Sequence, residues 1–308
     1  ARFLFTMAPN KNSLYPERMP GITPAAGPGN AERLAEELER QGVCYLDLFA
    51  LFRGREETLY FASDSHWNAR GAALAADAVN GALGRTTRYF DGPFDPASHR
   101  GDLYDMLYPA GTAEEGDFVC PDLRFTYDAP IRSAENLTIM TSGGGEGSLL
   151  MFRDSFGNNL YPYLADSFGA ALFSRSMPYR LDLAAQREAD YVAAELVERN
   201  LRYLIQNVPV MPAPGRGTEK PEGFTVYGSG VNFDVEPSED LPGYVLVTAP
   251  PALAGRELPE AESPVLVSAS DGTYYEAFLL EGGGAGLYLP EGVQPLGLAY
   301  RSPKAPGL

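Results

Sequence analysis

Ser148-Leu149-Leu150-Met151-Phe152, followed by Arg153-Asp154-Ser155-Phe156-Gly157, is an apolar run of five that stops abruptly on charge and glycine. Five consecutive apolar residues bounded by a turn predict a buried strand. The residues after it, from about Asn158 to Ser167, predict a helix. A strand, a sharp turn and a helix make one βα unit, and the flanking sequence repeats it. Arg2 to Met7 predicts a strand, and the polar turn Ala8 to Glu17 follows it. Asn30 is a good N-cap for a helix over Ala31–Gln41, and Gly42 is a natural stop. Val43–Leu48 predicts a strand, and Asn68 caps a helix over Ala69–Leu83. Ala170–Phe173 reads as a strand. Leu183–Asn200 reads as a helix that buries Tyr191, Ala194, Leu196 and Val197, and Leu204–Val210 reads as a further strand. Alternation of this kind from residue 2 to 210 predicts an α/β domain, a mainly parallel sheet with helices on both faces.

Two segments depart from it. Arg85–Gly147 carries turn residues, a possible strand pair near Phe118 and Leu123–Tyr127, and a glycine-rich hairpin tip at Ser142–Gly147. After Pro212-Ala213-Pro214-Gly215 the helical period is lost. Short β-rich runs follow at Phe224–Tyr227, Tyr244–Thr248, Val265–Ser268, Tyr274–Leu280, Gly286–Tyr288 and Leu296–Tyr300. The expected organisation is an α/β domain over 1–214 and a small antiparallel β-domain over 215–308.

Composition narrows the function classes. The chain has 308 residues, 44% of them hydrophobic, and a formal net charge of −17. That charge is spread along the chain and should repel nucleic acid and anionic membrane surfaces, so no nucleic-acid partner is expected. No apolar run is long enough to span a bilayer. Ser142-Gly143-Gly144-Gly145-Glu146-Gly147 lacks the Lys-Ser/Thr of a phosphate loop, so no nucleotide or other cofactor is expected. Cys44 and Cys120 read as free thiols, and neither has a second Cys or His at zinc-ligand spacing.

The chemistry-bearing residues lie in two stretches. Ser155 sits where a strand meets a helix. Its hydroxyl is then exposed at the sheet edge, and backbone N–H groups at the helix start, with Gly157 permitting close approach, can face a developing oxyanion. A serine hydroxyl needs a base to become a nucleophile. Ser63-Asp64-Ser65-His66-Trp67-Asn68 holds one of only two histidines and the only tryptophan. If it follows a parallel strand it lies at the same edge, and Asp64, two residues from His66, can hold the imidazole in the tautomer that accepts a proton from Ser155. Duller roles compete. Ser155 alone reads as a helix cap, Asp64 can cap the helix at residue 69, and Trp67 reads as a core residue. Asp154 is a rival carboxylate, and a metal set of Asp64, His66 and Asp154 ranks well below the triad. His99, beside Arg100, reads as a surface histidine. Lys11 and Asn10, after the first strand, are candidates for holding an anionic group or helping an oxyanion, with a plain surface lysine as the stronger alternative. Tyr104, Tyr108, Tyr161 and Tyr163 can stack on sugars, though such tyrosines usually just pack.

These residues also resemble a family. Asp64-Ser65-His66-Trp67-Asn68, followed by Gly71, resembles the Asp-x-His-Trp block of the alginate O-acetyltransferase-like, SGNH-hydrolase-related proteins, which include the DHHW group. Asp154-Ser155-Phe156 resembles their nucleophile block, with Arg153 where a Gly often stands. Ala8-Pro9-Asn10-Lys11 through Tyr15-Pro16-Glu17 resembles their first block, and Glu195–Arg199 a late one. The resemblance covers about residues 2–210 and keeps the family's order, Asp and His before Ser. It implies an SGNH-like, flavodoxin-type α/β/α fold, with Ser155 as nucleophile, His66 as base and Asp64 as its orienter; Lys11, Asn10, Gly157 and Tyr161 are the accompanying candidates for substrate or oxyanion contacts. It implies acetyl transfer to hydroxyls of an extracellular or cell-wall polysaccharide, with a membrane-bound acyl-transfer partner. An extracytoplasmic location follows, secreted or anchored through a segment outside this sequence. An esterase with the same triad and a glycan-binding scaffold without catalysis are the rival readings.

Overall fold

The computed structural model describes residues 1–21, 23, 27–227, 231–250, 252–253, 256–257 and 265–301. The chain divides into two compact units, one of residues 1–176 with 184–200, the other of residues 177–183 with 201–308.

The first unit is built on a seven-stranded mixed sheet. Its strands in chain order are β1 (Arg2–Ala8), β2 (Tyr45–Leu46), β5 (Phe125–Tyr127), β6 (Thr138–Gly143), β7 (Ser148–Phe152), β8 (Ala170–Ser174) and β9 (Tyr191–Val197). A separate hairpin supplies β3 (Asp95–His99) and β4 (Glu115–Val119). Across the sheet the order is β2-β1-β9-β7-β8-β6-β5. The first five are parallel, β6 runs antiparallel to β8, and the edge strand β5 runs antiparallel to β6. The helices are α1 (Lys11–Leu14), α2 (Asn30–Arg40), α3 (Leu48–Arg53), α4 (Ala69–Ala82), α5 (Asp102–Leu107) and α6 (Gly157–Ser167). The core gathers Leu4, Met151, Phe156, Leu160, Phe173 and Trp67, all essentially without solvent exposure. Burying each such side chain contributes about 1.5–3 kcal/mol.

The expected βα unit at 148–167 is present, as is the helix capped by Asn68, whose side chain accepts from the Gly71 N–H. Several expectations fail. The segment expected to be a helix over 183–200 is α-helical only at Leu183–Gln186 and enters a 3-10 helix at Glu198, while Tyr191–Val197 between them is the central strand β9. A strand flanked by β1 and β7 is apolar on both faces, so Val192, Ala193, Ala194, Leu196 and Val197 are all buried and no period of two survives. Leu204–Val210 is not a strand; a 3-10 helix ends there, at Ile205. The strand pair near Phe118 and Tyr127 is two pairs, β4 with β3 and β5 with β6. The glycine run after β6 is no hairpin tip, because β6 pairs with β8 and not with β7. Its glycines allow close packing instead. A Cβ at Gly145 would meet the Ser167 carbonyl oxygen at 1.9 Å.

The second unit is an antiparallel sheet, as its short runs predict. Its strand order is Phe224–Tyr227, Pro295–Arg301, Val265–Ala269, Tyr274–Leu279, Ala285–Pro290, Tyr244–Ala249 and Asp234–Pro237. The last of these was missed in the sequence because Asp234-Val235-Glu236-Pro237 is exposed throughout. Val247, Val265, Val267, Leu287, Leu289 and Leu298 form its core.

Candidate active site

Ser155 follows β7 directly, at the C-terminal edge of the parallel strands. The turn that presents it is fixed from below. Asp154 turns away from Ser155 and accepts from the Phe156 N–H (2.9 Å), the Val197 N–H (2.9 Å) and the Asn200 side-chain amide (2.8 Å). That carboxylate is therefore structural. Arg153 is 2% exposed; it donates to Asn158 Oδ1 (2.6 Å) and the Ala134 carbonyl (2.8 Å). Burial pushes its guanidinium down to about 10, while Glu195, Tyr161 and Asp154 pull it back up. Gly157 opens α6 because nothing larger fits. A Cβ there would lie 2.6 Å from Arg153 Cβ and 2.7 Å from Arg153 Cδ. The Phe156 N–H at the helix start is spent on Asp154, so it does not face an oxyanion as expected from the sequence.

Asp64 and His66 do not follow a strand of the sheet. Residues 61–66 form a loop closed by an isolated bridge between Tyr60 and Trp67, with the Phe61 N–H on the His66 carbonyl (3.2 Å). Local turn geometry, rather than strand alternation, brings the pair together. Asp64 Oδ1 accepts from both the His66 backbone N–H (2.8 Å) and His66 Nδ1 (2.7 Å). His66 Nε2 lies 2.8 Å from Ser155 Oγ, across 89 residues of sequence. A carboxylate only accepts, so Nδ1 carries the proton and Nε2 is free to accept from Ser155. The His66 ring packs on Phe156, with centroids 4.8 Å apart. Trp67 is fully buried, a core residue as expected, and its indole N–H donates to the Phe156 carbonyl (3.0 Å), linking the two stretches directly.

The loop is held on all sides. Lys11, carried by α1 just after β1, donates from Nζ to the Ala62 carbonyl (2.9 Å) and the Asp64 carbonyl (3.0 Å). Partial burial lowers its pKa, with Glu115, Asp64 and Asp102 opposing. It is thus neither a free surface lysine nor an open anion clamp. Glu115 on β4 accepts from the Ala62 N–H (2.6 Å), the Ser63 N–H (2.8 Å) and the Ser63 hydroxyl. Asp102 at the start of α5 accepts from the Ser65 N–H (2.8 Å) and hydroxyl (2.7 Å).

The residue that sequence reasoning misplaced is His99. It ends β3, and its Nε2 lies 2.7 Å from Asp64 Oδ2, which also accepts the Asp102 N–H (3.0 Å). Its ring stacks on Phe61 at 3.9 Å. Burial works against the charge on Asp64, but hydrogen bonds from His66, His99 and two backbone N–H groups outweigh it and hold the carboxyl far below the ordinary range. The only signal in the sequence was the scarcity of histidine itself.

Among the described residues, Asp64, His66 and Asp102 bring potential ligand atoms within 4.8 Å of one another. Every carboxylate oxygen in that group already accepts a hydrogen bond, so it reads as a polar network. Asp154, placed with those residues in the sequence reading, instead binds the backbone at Val197. Tyr161 is 4% exposed and its hydroxyl meets that of Tyr127 at 2.8 Å, a packing role away from the Ser155 hydroxyl network. Tyr163 is likewise buried. Beside the loop lies an open cleft of about 680 Å³, lined by Asn10, Lys11, Arg18, Asp102, Met106 and Arg199 among others. Among the described residues no helix is long and apolar enough to cross a membrane, and Cys44 and Cys120 are free.

Comparison with known proteins follows the geometry. No curated protein matches the chain by sequence. Residues 1–115 match the family model of the SGNH hydrolase-like domain of acetyltransferase AlgX. A DHHW family protein from Eubacterium siraeum shares the fold with a TM-score of 0.51 at 16% identity, covering 65% of this chain and 78% of its own. PatB1 from Bacillus cereus, solved with a sulfonyl adduct, gives 0.50 at 16% identity over 65% of this chain and 82% of its own. The resemblance read from the sequence therefore holds: the chain is similar to the AlgX-type SGNH hydrolase-like acetyltransferases over its first 115 residues, and its mixed α/β fold is the SGNH-like one of the DHHW proteins.

Proposed function

We propose that this protein is an O-acetyltransferase working through a serine ester, with Ser155 as nucleophile, His66 as general base and Asp64 as its orienter. One observation carries the reading: the unbroken hydrogen-bond line from Asp64 through His66 to the Ser155 hydroxyl. His66 Nε2 takes the hydroxyl proton as Oγ attacks the acetyl carbonyl of a donor ester. The imidazolium then returns that proton to the departing alcohol, leaving acetyl-Ser155. A sugar hydroxyl next gives its proton to His66 and attacks the acetyl carbonyl, and the imidazolium returns that proton to Ser155 Oγ as the ester bond to Ser155 breaks. The family match to an acetyltransferase domain supports the reaction class. The acceptor is a hydroxyl of an extracellular or cell-wall polysaccharide, and the acetyl group comes from a membrane-bound acyl-transfer partner. The protein works outside the cytoplasm. Residues 1–214 serve as the catalytic domain, with Asn10 and Lys11 at the rim of the cleft. Residues 215–308 serve as an accessory domain for the glycan.

The test is an acetyl-ester assay on wild type and Ser155→Ala, with and without an oligosaccharide acceptor. The expected result is a loss of about 10³-fold or more in Ser155→Ala, from comparison with other serine triads, and acetylated oligosaccharide as product of the wild type. Equal rates in the two proteins would sink the triad. Release of free acetate at a rate no oligosaccharide alters would make the protein an esterase.

A further inference from the structure

Asp64 has two imidazoles, not one. We propose that His99 is a positioning residue for the reaction at Ser155: by donating from Nε2 to Asp64 Oδ2 it fixes the rotation of that carboxylate, so that Oδ1 stays aimed at His66 Nδ1. The inference rests on the triad reading above. The geometry leaves His99 little freedom. Its Nε2–Oδ2 distance is 2.7 Å and its ring is stacked on Phe61 at 3.9 Å, with planes 16° apart. It sits at the last position of β3, paired in register with Glu115, the residue that holds the Ala62–Ser63 backbone. The β3–β4 hairpin therefore grips the loop of His66 twice, through Glu115 on its backbone and through His99 on its carboxylate.

The arrangement also divides the charge of Asp64. The two hydrogen bonds that Oδ2 accepts, from His99 Nε2 and from the Asp102 N–H, draw negative charge away from Oδ1. Oδ1 then holds the Nδ1 proton of His66 and leaves Nε2 to take the proton of Ser155. The charged groups facing the pair are Glu115 on β4, Asp102 with the Arg100–Asp105 pair at α5, Lys11 on α1 and His66 itself. All remain in the variants below.

The experiment uses 4-nitrophenyl acetate turnover by the full chain as His99→Ala, His99→Gln and Ser155→Ala. Gln is chosen because its amide nitrogen reaches the place of Nε2. In His99→Ala, kcat should fall about 10- to 100-fold, the scale of a misaligned catalytic group, with KM little changed. The acid limb of its pH–rate profile should move to higher pH, because one donor fewer then competes with His66 for the charge of Asp64. His99→Gln should recover at least about a third of kcat and return the limb to its wild-type place, as expected if one hydrogen bond of ordinary worth is restored. An unchanged kcat and limb in His99→Ala overturns the proposal, and so does a Gln variant no better than Ala. A Ser155→Ala protein that keeps its rate sinks the triad and this inference together. An inactive Ser155→Ala beside a fully active His99→Ala sinks this inference alone.

Discussion

Two buried carboxyls flank the Ser155–His66 hydrogen bond, and their surroundings push their pKa values in opposite directions. Asp64, in the loop of residues 61–66, is ionised because two imidazoles and two backbone N–H groups point at it, against the opposing pull of burial. Glu195, in β9 under the turn of Ser155, is fully buried. Burial and the nearby Asp154 carboxylate push its pKa well above the ordinary value, against Arg153 and the Asp154 and Gly157 backbone N–H groups. The difference follows from what builds each side. The His66 side is a loop, so its position depends on a cage of polar partners. The Ser155 side stands on the close-packed centre of a sheet, where van der Waals contact fixes position and a charge would find too few donors.

The sharpest way to break this contrast is at Asp64. Asp64→Asn presents an N–H₂ to one of two groups that are themselves donors, so one histidine must change tautomer. Loss of the His66 tautomer should cost about 10⁴-fold in kcat, the scale known for a triad carboxylate turned to amide. Stability should respond with pH as well. The folded-state pKa of Asp64 is depressed, so its contribution is present above the unfolded value of about 3.9 and is lost as pH falls below that range. Denaturant unfolding across pH should show wild type losing stability in acid and Asp64→Asn losing less. An Asn variant of full activity would show that His66 needs no orienter.

On the opposite side the sensitive residue has no polar group at all. Gly157→Ala places a methyl 2.6 Å from Arg153 Cβ and 2.7 Å from Arg153 Cδ. Arg153 is packed and hydrogen-bonded, so it cannot swing clear. Overpacking of this kind costs about 1–3 kcal/mol, and thermal unfolding should show it as a lower Tm. A Tm equal to wild type would mean that the turn is less rigid than its packing implies.

The same division explains what was legible in the sequence. Ser155 and the βα unit around it could be read because an apolar run, a turn and a helix are local patterns. Asp64 and His66 could be paired because they are two residues apart. His99, Glu115 and Asp102 could not be read, because their partners lie 35, 52 or 53, and 37 residues away and the loops between show no period. β9 failed for a different reason. Its two neighbours in the sheet, β1 and β7, are remote in sequence, so nothing local marked Tyr191–Val197 as doubly buried. Lys11 was read as a surface residue because its acceptors are backbone carbonyls, which sequence does not display.

Lys11 is a milder probe of the cage. Lys11→Met keeps much of the stem and removes two hydrogen bonds to the loop carbonyls. The group is partly open to water, so the loss should be about 1 kcal/mol, at the low end for charge-assisted bonds. It should appear in kcat, as a fall of about 3- to 10-fold, since 1 kcal/mol is roughly a factor of five. A kcat unaffected by Lys11→Met would show that Glu115 and Asp102 alone hold the loop.

Glu195 should give the smallest effect and the clearest sign. A neutral carboxyl and an amide differ by little in shape, so Glu195→Gln at neutral pH should change stability by no more than about 1 kcal/mol. Its Oε1 has no hydrogen-bond partner among the described residues, so the substitution breaks no bond there. The pH dependence is where the two proteins part. The folded-state pKa of Glu195 is raised, so between the unfolded value of about 4.3 and that raised value only the folded chain holds the proton. Stability from this group is complete below the lower limit and falls as pH rises through the window, the reverse of Asp64. Glu195→Gln should therefore flatten the alkaline decline of wild type while leaving its acid decline in place. A variant whose unfolding free energy runs parallel to wild type at every pH would mean that Glu195 is ionised in the folded protein. The contrast between the two carboxyls would then fail on the side where packing, rather than hydrogen bonding, sets the charge.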